Sequence, residues 1–145
     1  MATFTKLNGF VEHLAEKVHN LGADTLTVAL SNTAPGSEAT PPTGSTAACV
    51  LANVTQISYT NCSARAITTS ASAQSSGTYK LTLTDLTLTA SGGTVGPFRY
   101  VYIYNDTATN DELIAYYDYG SSITLNSGET FLIDFDGTNG FLQIA

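Results

Sequence analysis

This chain lacks several features that define large classes of proteins. It contains no tryptophan and only two cysteines, Cys49 and Cys62, in 145 residues. Their spacing matches neither a zinc-binding signature nor a disulfide framework. The sequence therefore allows either two free thiols or a single disulfide bond between them. No apolar run approaches the roughly 20 residues of a membrane span. The N-terminus also lacks the charged and then apolar layout of a signal peptide, so we expect a protein made in a cytoplasm.

Charged residues are scarce, and most of them are acidic. Five Lys and Arg residues stand against twelve Asp and Glu residues, and the net charge is −7. A surface of this sign repels phosphate, which disfavours nucleic acid and anionic membranes as partners. Ser and Thr take the place of charges. Hydroxyl side chains of this kind suit strands, and low charge suits surfaces buried between subunits.

The N-terminal segment predicts an amphipathic α-helix over about residues 4–21. Its apolar residues recur at spacings of three and four, the period of a helix with one apolar face. Thr3 or Thr5 can cap its start, and Gly22 can occupy the left-handed position that ends many helices. The apolar stripe either covers one end of a sheet or docks on a partner subunit.

A long loop, over about residues 32–48, follows a strand that alternates cleanly over residues 24–30. Pro35, Pro41 and Pro42 prevent regular structure there. Loops of this length are uncommon in compact domains, so this one is either an arm reaching over a neighbour or a mobile insertion. The helix stripe and the loop supply our candidates for a subunit interface: Phe4, Leu7, Val11, Leu14, Val18, Pro35, Pro41 and Pro42.

Residues 64–145 predict a meander of short antiparallel strands. A Thr, Ser and Ala strand over residues 65–74 is expected at a sheet edge or a subunit contact, and a change of phase at Asp85 indicates a bend. Phe98, Tyr100, Tyr102 and Tyr104 share one face of a predicted central strand whose other face is also bulky. Turn signals recur about every 8–12 residues. We therefore predict one domain, 1–145, with a mainly β, antiparallel, jelly-roll-like β-sandwich and one N-terminal helix.

No constellation of residues predicts catalysis or metal binding. His13 and His19 lie on different faces of the predicted helix, and no Gly-x-Ser-x-Gly elbow occurs. Asp134, Asp136 and Asn139 resemble part of a calcium loop, but Thr138 occupies a position that needs a ligand. A turn held by Asp and Asn side chains explains the same residues. We predict no enzyme activity, no cofactor and no bound metal.

The tyrosines allow two interpretations. Tyr116, Tyr117 and Tyr119 lie near a strand end, where their rings could stack on a sugar. Packing in the core or at an interface accounts for the same residues without a ligand.

Three runs of the sequence resemble small virion proteins of tailed bacteriophages. They are FTKLNGFVEHLAEKVHNLGADTLTVALSNTAP at residues 4–35, SAQSSGTYKLTLTDLTLTASGG at residues 72–93, and the run from Val95 to Phe135. Within these runs, the most specific motifs are Gly96-Pro97-Phe98-Arg99-Tyr100, Tyr119-Gly120-Ser121-Ser122 and Ser127-Gly128-Glu129-Thr130-Phe131.

The resemblance implies a capsid cement, or decoration, protein on the outer surface of the head. The implied partner is the major capsid protein, the implied oligomer is a homotrimer, and the implied location is the virion, after synthesis in the host bacterial cytoplasm. Such proteins carry no active site, so no residue inherits a catalytic role. A tail, tail-fibre or head-fibre component and a carbohydrate-binding adhesin module remain as alternatives.

Overall fold

The computed structural model describes residues 2–145, and within that range it shows a mainly β protein with antiparallel sheets and one α-helix, as the sequence predicts. The jelly-roll connectivity stays a prediction. The helix is α1 (Asn8–Ala15), and single 3-10 turns occur at Pro35–Ser37 and Leu51–Asn53. The strands are β1 (Thr3–Lys6), β2 (Leu26–Ser31), β3 (Ala66–Ile67), β4 (Thr69–Ser75), β5 (Thr78–Leu83), β6 (Leu86–Thr89), β7 (Val95–Asn105), β8 (Leu113–Leu125), β9 (Thr130–Ile133) and β10 (Leu142–Ile144).

The strands form three sheets. A five-stranded sheet has the order β1-β8-β7-β2-β3, a three-stranded sheet has the order β10-β5-β4, and β6 pairs with β9. The predicted bend at Asp85 separates two of these sheets, since β5 ends at Leu83 and β6 begins at Leu86. Asp85 holds the bend by accepting a hydrogen bond from the Phe135 backbone N–H at 2.9 Å.

Apolar side chains cover the five-stranded sheet on both faces. One face packs with the smaller sheets around the larger cluster, which includes Leu26, Val28, Leu81, Leu88, Phe98, Ile103 and Ile133. The other face packs against the segment that follows β2, in a cluster that includes Leu7, Ala29, Cys49, Val54, Tyr100, Tyr102, Tyr104 and Leu113. Burial on both faces explains why β7 is bulky on both sides and lies inside the sheet.

One detail of the β7 prediction is wrong. Phe98 lies in the cluster of Val101 and Ile103, not on the face of Tyr100 and Tyr102. The pairing of β7 with β8 shifts register between Phe98 and Tyr100. An irregularity of this kind in the ladder reverses the alternation, so the side chains before it point to the opposite face.

The helix is present, but its predicted limits of 4–21 are wrong. Residues 3–6 form β1 instead, and they pair with β8 at the sheet edge, where Phe4 lies opposite Tyr117. Tertiary pairing overrides the local helical period there. Within residues 2–145, no helix is long and apolar enough to cross a membrane.

Lys17, and not Gly22, ends the helix in the left-handed conformation, with φ of 67°. The Val18 N–H bonds to the carbonyl of His13 at 2.8 Å, and the Lys17 N–H bonds to that of Leu14 at 3.3 Å. This pair of bonds is a Schellman motif, which satisfies the last carbonyls of a helix. The chain therefore reverses direction early, and the reversal places His19 beside the helix that it was predicted to extend.

Candidate functional site

The eight residues predicted as a subunit interface do not form one surface. Leu7, Pro35 and Pro42 are buried within this chain, so their assignment to an interface is wrong. Phe4 and Val11 are exposed, whereas Leu14, Val18 and Pro41 are half-buried. Phe4 lies on β1, Val11 and Leu14 lie on α1, and Val18 and Pro41 lie in loops. Their role in an interface stays a prediction.

The loop at residues 32–48 packs on its own sheet. Its buried Glu38 accepts hydrogen bonds from the Thr55 backbone N–H at 2.8 Å and the Thr55 hydroxyl at 2.7 Å. Near its end, the Thr46 hydroxyl donates to Glu12 of α1 at 2.6 Å. The helix approaches so closely that a Cβ on Gly9 would lie 2.6 Å from the Cβ of Cys49. The loop is thus fastened near its middle and near its end, and it covers the sheet.

The hairpin of β4 and β5 leaves one long strand edge without a partner among residues 2–145. Strand β4 is the outer strand of its sheet, and six of its seven residues, Ser70 to Ser75, are exposed. Its sequence, TSASAQS, contains neither a charged residue nor a proline, the usual protection of free edges. The surrounding segment, residues 39–84, contains no Asp or Glu and only two basic residues, Arg65 and Lys80. The predicted position at a sheet edge is confirmed, but the single strand predicted over residues 65–74 is wrong, because the stretch is divided between β3 and β4, which lie in different sheets.

A second feature is a groove beside the aromatic end of β8, which we call the aromatic groove. It has a volume of about 330 Å³ and is lined chiefly by Tyr117, Tyr119, Phe131, Leu132 and Asp134, with Ala2 at one end. Tyr119 and Leu132 are 45% and 55% exposed. The groove therefore presents apolar surface to solvent beside a carboxylate, a combination typical of binding sites.

The three tyrosines for which sugar stacking and packing were both open do not share one site. Tyr117 and Tyr119 line the aromatic groove. Tyr116 points to the opposite face of the sheet, where its ring lies 5.5 Å from that of Tyr102. Sequence reasoning missed Phe131, Leu132 and Asp134 as groove residues, because only the packing of β9 beside β8 brings them there.

His13 and His19, predicted to lie apart, meet in the interior. They are 7% and 5% exposed, and their rings are 5.8 Å apart. Burial, and then the neighbouring His13, lowers the pKa of His19 to about 4, while Glu112 and Asp24 oppose the effect.

Asn105 fixes this cluster in one arrangement. Its side-chain N–H groups donate to Asp24 at 2.6 Å and to Nδ1 of His19 at 3.2 Å. Its oxygen accepts from the backbone N–H groups of Thr107 and Ala108. All four hydrogen-bonding positions of the amide are used, which makes this a structural network.

Neither the histidine cluster nor the acidic turns assemble a metal centre within residues 2–145. No group of three or more His, Cys, Asp or Glu side chains in that range has the geometry to hold a metal ion. The carboxylate of Asp136 instead accepts the backbone N–H groups of Thr138 and Asn139, at 2.8 and 2.7 Å. These bonds lower the pKa of Asp136. Cys49 and Cys62 are thiols, and burial raises the pKa of Cys49 to about 11.

Comparison with known proteins does not assign the chain to a family. No protein-family model, no curated protein and no solved structure matches the chain. The resemblance to phage virion proteins therefore stays a prediction.

Proposed function

We propose that this chain is a capsid cement (decoration) protein of a tailed bacteriophage, which binds the outer surface of the head and stabilises it. Its partners in this proposal are the major capsid protein and further copies of itself in a homotrimer. The observation that carries the proposal is the uncharged, unpaired edge of β4. An unprotected edge puts a protein that works alone at risk of aggregation, whereas in a protein that works in an assembled shell it is available to pair with a neighbouring copy.

The charge distribution supports contact between copies at this edge. Two chains of net charge −7 repel each other over most of their surface. The segment 39–84 is the exception, because its only charges are those of Arg65 and Lys80. A copy can therefore approach the β4 edge without like-charge repulsion, and its acidic surfaces are attracted to it. Binding through several such contacts at once lets weak individual contacts hold a shell together.

The self-association step is tested with two variants of one residue. Ala73 lies in mid-β4 opposite Lys80 of β5. Ala73→Glu places a charge on the free edge and gives Lys80 an opposite partner within the hairpin, so the fold is preserved. Ala73→Ser is the matched uncharged control. We expect trimers for the unchanged chain and the Ser variant by light scattering after size exclusion, and monomers for the Glu variant.

The binding to capsids is tested by adding the purified chain to phage heads that lack it. These heads are produced from the same genome that encodes the chain, but are assembled in its absence. Binding is measured by co-sedimentation, and the position on the head by electron microscopy. We expect the chain and the Ser variant to bind and to raise the temperature at which heads open, and the Glu variant to bind more weakly. If the chain does not bind heads and is found in tails or fibres, the result would support the tail or fibre alternative instead.

A further inference from the structure

The aromatic groove presents one exposed ring in a fixed position. The Tyr119 ring packs against Phe131 at 5.5 Å and 76°, and the Phe131 ring packs against the buried Phe98 at 5.3 Å and 83°. A chain of edge-to-face contacts thus runs from the core to the surface. Since packing already orders Tyr119, a ligand that stacks on its open face does not have to immobilise it.

Two polar groups lie beside that ring. The Tyr117 hydroxyl and the exposed Asp134 carboxylate line the same groove, and neither makes a hydrogen bond to another side chain or to the backbone within residues 2–145. Burial, and then the charge of Asp134, raises the pKa of Tyr117 to about 12, so the phenol keeps its proton at neutral pH. The groove therefore offers one hydrogen-bond donor and one charged acceptor.

We propose that the aromatic groove binds a neutral saccharide, with Tyr119 as the stacking ring and with Tyr117 and Asp134 hydrogen-bonding sugar hydroxyls. The C–H face of a sugar carries slight positive charge and is attracted to the negative face of an aromatic ring. Its hydroxyls donate to a carboxylate and accept from a phenol. The volume of about 330 Å³ lies at the lower end of small-molecule sites, about 300–1,000 Å³.

The charge of the groove disfavours anionic ligands, and the short length of β9 disfavours an extended peptide. None of the residues that line the groove is basic, so Asp134 repels anionic sugars and phosphates. An extended peptide would have to pair with the free edge of β9, but that strand has only four residues. The saccharide site does not depend on the proposed role in the virion, because it uses a different surface from the β4 edge.

The proposal is tested by nuclear magnetic resonance titration of the full chain. Glucose, galactose, mannose and N-acetylglucosamine are the neutral probes, and sialic acid is the anionic one. We expect saturable binding of at least one neutral sugar, with a dissociation constant on the order of 1 mM, and none of sialic acid. Tyr119→Ala should weaken binding about tenfold, whereas Tyr119→Phe, which keeps the ring, should retain it.

Val11→Ala serves as the control, because Val11 is similarly exposed, at 52% against 45% for Tyr119, but lies on α1 outside the groove. It should bind sugar like the unchanged chain. The proposal is overturned if no neutral sugar binds up to about 50 mM, or if Tyr119→Ala binds as well as Val11→Ala. It is equally overturned if Tyr119→Ala abolishes self-association, since a second copy would then occupy the groove.

Discussion

The buried His19 makes stability depend on pH in a way that can be worked out from its contacts. Asn105 donates a hydrogen bond to Nδ1 of His19 at 3.2 Å, so this nitrogen accepts and carries no proton. The proton of the neutral ring is therefore on Nε2, which is buried and has no hydrogen-bond partner within residues 2–145. A second proton on Nδ1 would face the Asn105 amide hydrogens, and this geometry disfavours the charged form.

The expected magnitude follows from the pKa. Burial, followed by the effect of His13, lowers the pKa of His19 from 6.5 in the unfolded chain to about 4 in the folded one. The unfolded chain thus binds a proton at a higher pH than the folded chain. The contribution of His19 is complete above about pH 6.5 and is lost as the pH falls towards 4. At about 1.4 kcal/mol for each pKa unit, the full loss is roughly 3 kcal/mol, of which about 2 kcal/mol is lost by pH 5.

Urea unfolding followed by circular dichroism measures this contribution. We compare the unchanged chain with His19→Gln, whose neutral side chain can still accept from Asn105. Between about pH 7.5 and pH 5, most carboxylates keep their charge in both states, and the difference between the two proteins isolates the contribution of His19. We expect the unchanged chain to lose about 2 kcal/mol more than the variant. Parallel losses in the two proteins, or no loss in the unchanged chain, would refute the assignment of a buried neutral His19.

Substitutions at Glu38 and at Gly96, each with a control variant, test how the loop and the long strands are held. Glu38→Ala removes the acceptor of both the Thr55 N–H and the Thr55 hydroxyl and should destabilise the fold by about 2 kcal/mol. It should also speed cleavage of the 32–48 loop by proteinase K, whereas Glu38→Gln, which keeps an acceptor, should lose less stability. Gly96→Ala should lower the thermal midpoint by roughly 5 °C, because Gly96 has φ of 119° and a Cβ would lie 2.7 Å from the Ile123 carbonyl oxygen. Gly36→Ala, where a Cβ meets nothing within 4 Å, should change the stability by less than about 0.5 kcal/mol, and equal effects at the two glycines would contradict this explanation.

The lack of acidic residues in the segment 39–84 links the fold to the proposed assembly. Charges on a free strand edge are a common defence against unwanted pairing. In the uncharged strand β4, six of the seven residues are exposed, while acidic residues concentrate after residue 84. Copies can therefore meet in one orientation more easily than in others, a condition for a closed ring.

Local patterns in the sequence were sufficient for the main features of the fold. Alternating apolar residues determine β2 and β7, and the clustered prolines determine the long loop, since strand alternation and proline sterics act within a few residues. Weak alternation over residues 65–74 predicts a position at a sheet edge, and both β3 and β4 are outer strands of their sheets. The turn at Asp136 was identified from its Asp and Asn residues, which make their hydrogen bonds locally.

Other features depend on contacts between residues far apart in sequence, and only the tertiary structure decided them. The stripe from Phe4 to Leu21 has a helical period, yet pairing with β8 makes its start a strand, and Lys17 ends the helix early. The same reversal brings His19 to Asn105, 86 residues away. The aromatic groove exists because β9 packs beside β8. No residue spacing in the sequence predicts that these two strands are neighbours. The period of the apolar residues determines which face of a helix or strand is apolar. Which other element covers that face depends on how all the apolar faces of the chain are buried together.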